Sequence, residues 1–167
     1  MKHILPILTI TTLAAAASAQ TAAASSGLSY NRVGLSYDTQ DTKGYSLSAS
    51  ALIGSSNVLV SASTTVGGDH GNGADSVSLG YVFKNVYLGV DATVSIGSDE
   101  NYGLNLRKDL GSNIEAAVSY SREQSENVWG IELAYNVNKQ VQVAVGYADS
   151  SAAGVSSQTT LSVRYNF

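Results

Sequence analysis

The chain has no cysteine and one proline, Pro6. Disulfides therefore contribute nothing to its stability, and beyond Pro6 every residue can donate a backbone N–H to a strand ladder. Long apolar runs are missing as well. Nothing after Ala19 approaches the roughly 18 consecutive apolar residues of a membrane-spanning helix. Charged residues make up only 13% of the chain, with 13 Asp and Glu against 9 Lys and Arg. An acidic balance of this kind excludes the basic footprint of a nucleic-acid binder. Histidine occurs only at His3 and His70, which leaves little material for acid–base or metal chemistry. No segment carries the 3.6-residue apolar periodicity of an amphipathic helix.

What the sequence does contain begins with its first residues. Met1-Lys2-His3 is basic, Ile4 to Ala17 is largely apolar, and Ala17-Ser18-Ala19 offers small residues before Gln20. That is the pattern of a secretory signal peptide over residues 1–19, and the absence of arginine from the first thirty residues argues against a transit peptide. Residues 20–26 read as a short leader of small residues, and 27–167 as one domain. Export is the expectation.

Beyond the leader the chain repeats one pattern. Ten segments alternate apolar and small polar residues, near 28–37, 44–53, 57–66, 75–83, 86–96, 101–108, 113–122, 127–137, 140–148 and 158–167. In the second, Tyr45, Leu47, Ala49, Ala51 and Ile53 fall on one face, with Ser46, Ser48 and Ser50 on the other. Each segment has about the nine to eleven residues that a tilted strand needs to cross a bilayer. Connections alternate between tight (Gly54-Ser55-Ser56, Lys84-Asn85, Asp109–Ser112, Asn138-Lys139) and mostly longer and more polar. This predicts an all-β, transmembrane, antiparallel up-and-down barrel of ten strands, with eight strands and longer loops as the alternative.

Aromatic and charged positions support it independently. Tyr37, Tyr45, Tyr102, Tyr120, Trp129 and Tyr147 fall near the loop ends of one face, and Tyr81, Phe83, Tyr135, Tyr165 and Phe167 near the turn ends. Two such belts suit the two membrane interfaces, because Tyr and Trp have apolar bodies and polar tips. Only Tyr30 and Tyr87 are expected to point inward. The same face carries no charge along its middle, as it should, since a cation at the bilayer midplane costs roughly 2–4 kcal/mol. Acids crowd the long loops and their edges (Asp38, Asp41, Asp69, Asp75, Asp99, Glu100, Glu123, Glu126 and Asp149), predicting an acidic outer mouth.

The last strand carries a family resemblance. Leu161, Val163, Tyr165 and Phe167 share one side of an alternating C-terminal segment that ends on an aromatic residue. This resembles the C-terminal signal of Gram-negative outer-membrane β-barrels, which implies recognition by periplasmic chaperones and the barrel assembly machinery. The whole mature chain is similar in pattern to the small outer-membrane barrels typified by outer-membrane proteins X and A. The resemblance implies a cell outer-membrane location among lipid and lipopolysaccharide. Ten strands depart from the eight of those proteins, so their roles do not carry over.

Six charges are expected in the lumen toward the turn end: Arg32, Asp91, Arg107, Glu115, Glu132 and Arg164. They suit either an ion-pair network that fills this half or a charged constriction that filters solutes. Above them the inward positions are mostly Ser and Gly, too small to fill a ten-stranded lumen. Two functions follow: a narrow porin-like channel for small solutes or ions, or a non-conducting surface or structural protein. Catalytic residues, metal ligands and cofactors are not expected. Asp69 and His70, being adjacent, point to opposite faces of an extended chain, and the mature chain has no second histidine to build an outer-membrane protease site; the segment around them lacks the ligand spacing of an EF-hand. Oligomeric state is left open.

Overall fold

The computed structural model describes residues 27–39, 44–66, 75–98, 101–123, 126–151 and 157–167. The signal peptide, the leader, His70 and most of the acidic loops lie outside the described residues.

Ten strands follow in order: β1 (Arg32–Asp38), β2 (Tyr45–Leu52), β3 (Val58–Val66), β4 (Asp75–Tyr87), β5 (Val90–Gly97), β6 (Tyr102–Gly111), β7 (Ile114–Glu123), β8 (Glu126–Asn136), β9 (Val141–Ser150) and β10 (Gln158–Asn166). Each pairs antiparallel with its chain neighbours, and β1 closes on β10 from Arg32↔Asn166 to Asp38↔Thr160. Closure satisfies the backbone of both terminal strands, so there is no open edge. The ten-strand expectation holds, and the eight-strand alternative does not.

The protein is inside-out relative to a soluble fold. Leu35, Val94, Val118, Val145, Leu161 and Val163 point outward and are about half exposed, while the buried apolar residues are largely alanines. Ala49 and Ala62 are buried only because Val33 and Leu47 flank them on the outer surface. An apolar skin this large needs a non-aqueous surrounding. The aromatic belts occur as expected: Tyr37 packs on Tyr45 and Trp129 on Tyr147 at the loop end, with centroids 5.1 and 5.7 Å apart, and Tyr81 packs on Phe83 at the turn end at 4.8 Å.

The structure corrects the sequence reading at four places, one of them the β6–β7 connection, which is Ser112-Asn113 rather than Asp109–Ser112 because β6 stays paired to Gly111. The first strand starts at Arg32 rather than Leu28, and residues 28–31 leave the ladder. The connection between β4 and β5 is Leu88-Gly89, not Lys84-Asn85. Pairing slips between Phe83 and Tyr87, so Lys84, Asn85 and Val86 form a bulge rather than a turn. Asn85 holds it: its N–H donates to Asp91 Oδ1 at 2.8 Å, and its Oδ1 accepts the Gly89 N–H at 3.0 Å. Gly89 closes the turn at φ 78°, the left-handed region in which glycine has no side chain to clash. Tyr87, expected inward, is therefore turned outward and 72% exposed. Finally, the loop between β7 and β8 was expected to be longer, but Glu123 pairs with Glu126 and only residues 124–125 remain between the strands.

Candidate functional site

Alternation along β1 and along β5 to β10 delivers the lumenal charges. Asp91, Arg107 and Glu115 are almost fully buried, although the barrel outside them is coated with apolar side chains. Burying a charge is tolerable only when it is paired and hydrogen-bonded, and the pairing here is specific. Arg107 Nε donates to Glu115 Oε1 at 2.6 Å. Arg164 forms a two-pronged pair with Glu132, Nη1 donating to Oε1 at 2.6 Å and Nη2 to Oε2. A planar guanidinium fork matches a carboxylate in this way.

Gln142 joins the two pairs. Its Nε2 donates to Glu115 Oε2 at 3.1 Å and its Oε1 accepts from Arg164 Nη1 at 3.2 Å. Sequence reasoning missed Gln142; the available signal was its inward position on β9, the one long side chain before Ala144 and Gly146. Tyr30 was also missed as a member. Its hydroxyl donates to Asp91 Oδ2 at 2.7 Å, and the Arg107 guanidinium lies 4.8 Å over its ring. Burial, and then the bond to Asp91, push the Tyr30 phenol above the ordinary tyrosine range, so it stays a neutral donor.

Arg32 differs from the other five. Its electrostatic neighbours are Arg107, Arg164, Glu115 and Glu132, but its guanidinium makes no hydrogen bond or ion pair with a described residue. The structure thus brings all six expected residues toward one end of the lumen and pairs four of them as two salt bridges. Asp91 is held by Tyr30 and the Asn85 backbone instead.

Above this layer the lumen is open in two cavities, of about 270 and 210 Å³, both bordered by Arg32 and Arg164. Serines line the smaller one, and they pair across strands: Ser61 with Ser78 at 2.6 Å, Ser63 with Ser76 at 2.8 Å. Gly34 matters to the layer. A Cβ there would sit 3.2 Å from Arg164 Cγ, so its absence leaves the arginine stem its path. Below the layer, a third cavity of about 830 Å³ opens among the turns, lined by Lys84, Asp109, Asn113, Asn138, Lys139 and residues 27–31. The arrangement can hold water and small polar solutes in the outer half. Among the described residues, no group of acids and histidines is placed to hold a metal ion.

Of the C-terminal residues, Leu161, Val163 and Tyr165 lie on the outer face, and the Phe167 N–H donates to the Asn31 carbonyl at 3.0 Å across the closure.

No protein family and no curated protein matches this chain. Among solved structures it is similar to a KdgM porin, at 15% identity and a TM-score of 0.52, over 81% of this chain and 99% of the porin. It is equally similar to a KdgM porin in complex with disordered oligogalacturonate, at 15% identity, a TM-score of 0.51 and the same coverage. A NanC porin matches at 12% identity and a TM-score of 0.47, over 82% of this chain and 98% of that one. At these identities the KdgM likeness is one of fold. It supports the closed-barrel fold and gives no support to a kinship with outer-membrane proteins X and A.

Proposed function

We propose that the chain is an integral outer-membrane protein and acts as a narrow porin-like channel for small solutes or ions. The observation that carries this reading is the lumen: a closed apolar-skinned barrel surrounds hydroxyl-lined cavities that end on a layer of charges. A purely structural barrel of this size would gain from filling its lumen with larger side chains, whereas Ser and Gly keep the outer half open. The fold likeness to KdgM porin supports it further. On this reading residues 1–19 direct export and are removed, and the turn end with both chain ends faces the periplasm. The Leu161–Phe167 strand serves as the assembly signal, and the outer belts sit among lipid and lipopolysaccharide. The acidic loops form a mouth that concentrates cations. Solute selection then falls to the charged layer.

Single-channel recording in planar bilayers tests this. Discrete conductance steps that depend on the lumenal charges are expected. A protein that stays silent, even with its lumen loosened as described next, is a structural or surface barrel instead.

A further inference from the structure

We propose that residues Gly27–Asn31 are a plug that shuts the periplasmic end of the lumen, and that its withdrawal opens the channel. This rests on the channel reading above.

The segment precedes β1 and belongs to no strand, yet it is among the most buried parts of the molecule. Leu28 and Tyr30 keep 7% and 5% of their surface, packed with the fully buried Val82 and against Leu52 and Leu59. Those three are inward positions at the turn ends of β4, β2 and β3. Unlike the inward Ser and Gly of the outer half, they are large and apolar. In an open lumen they would face water, where each costs on the order of 25 cal/mol per Å² of apolar surface. The segment is their cover.

Polar contacts fix it in place. Arg107 Nη1 donates to the Ser29 carbonyl at 3.0 Å, Ser50 Oγ to the Tyr30 carbonyl at 2.8 Å, and the Leu52 N–H to Asn31 Oδ1 at 2.9 Å. Tyr30 reaches Asp91 and lies under Arg107. The segment therefore binds both the apolar wall and the charged layer. It lines the 830 Å³ cavity among the turns, while neither lumenal cavity above the layer touches it. Segment and layer together divide the lumen.

The barrel does not need this segment to close. Pairing of β1 with β10 and with β2 starts at Arg32, and the backbone ties of residues 27–31 are few. Removing the segment would break side-chain contacts, a handful of hydrogen bonds and the backbone bond from the Phe167 N–H to the Asn31 carbonyl, but would leave the β1 ladders from Arg32 onward intact, which is the energetic profile of a part that can open locally. Withdrawal would also free one face of Arg107 and the Asp91 carboxylate to the passage.

The chain has no cysteine of its own, so a lock can be installed cleanly. Detergent-extracted protein carrying Leu28→Cys with Val82→Cys is recorded in planar bilayers, oxidised and then reduced. A second variant, Leu28→Ser with Tyr30→Ala, loosens the plug; folding of each is checked by heat-dependent gel migration. The expected result is that oxidation lowers open probability several-fold, that reductant restores it, and that the loosened variant opens more often than the parent. Should oxidised, reduced and loosened proteins all conduct alike, the plug is refuted and the channel survives. Silence of every folded form removes the channel itself, and the plug with it.

Discussion

At the scale of single residues, the layer makes distinct predictions for its paired and unpaired members. Arg107 and Glu115 are 5% and 3% exposed, so Glu115→Gln strands a buried guanidinium. Losing one partner of a buried pair costs about 3–5 kcal/mol, a loss measurable by urea unfolding of the refolded barrel. Arg32 has no such partner, so Arg32→Gln should fold normally and shift the reversal potential in a salt gradient toward cations. The double change Asp91→Asn with Glu132→Gln should shift it toward anions. Identical potentials in all three would show that these groups do not border the conducting path. Period-two alternation placed every one of these side chains on the inner wall from sequence alone. Their partners were not legible. Asp91 stands opposite Arg107 in the strand register, but the guanidinium turns to Glu115 while Tyr30, from outside the strands, takes Asp91. Alternation assigns a side of the sheet, not a rotamer or a visitor from another segment.

At the scale of elements, strand number and limits were readable because each run of alternation ends in turn chemistry. The β4–β5 hairpin shows where this fails. Lys84-Asn85 is the polar pair that a two-residue turn should have, and Val86 resumes the apolar rhythm. Asn85 instead adopts φ 53° within a bulge, and the chain reverses three residues later at Leu88-Gly89. The deciding interactions are two side-chain hydrogen bonds, from the Asn85 N–H to Asp91 and from the Gly89 N–H to Asn85, which no local pattern encodes. Gly89 has φ 78°, so Gly89→Val should destabilise the barrel by at least about 1–2 kcal/mol, the cost of a left-handed residue with a Cβ. The same change at Gly54→Val, also at positive φ in a turn, provides a comparison in the same urea assay. Phe167 gives a prediction of another kind: Phe167→Ala should cut the amount of folded barrel assembled in cells while leaving refolding in detergent nearly unchanged, if the residue acts as a signal rather than a strut.

At the scale of the whole molecule, the account depends on one reversal: oil outside, water inside, around a closed sheet. Sequence reasoning reached this because the restriction is global. Every outward position along the middle of ten strands must be free of charge, so the signal accumulates over the chain even where a single strand is ambiguous. The central outward residues bear this out, with Val94, Val118, Val145 and Val163 all about half exposed. Val145→Arg, in the middle of β9, is expected to cost roughly 2–4 kcal/mol in lipid. Ala144→Arg faces the lumen and should cost less and alter conductance instead.

The most direct test of that reversal is a scan of single spin labels along β9, one cysteine at a time from Val141 to Tyr147, in protein reconstituted into bilayers. Collision rates with oxygen and with a water-soluble nickel complex are read at each site. The account predicts high oxygen exposure at 141, 143, 145 and 147 and low values at 142, 144 and 146, a strict period of two. A flat profile, or nickel exposure at 143 and 145, would contradict it.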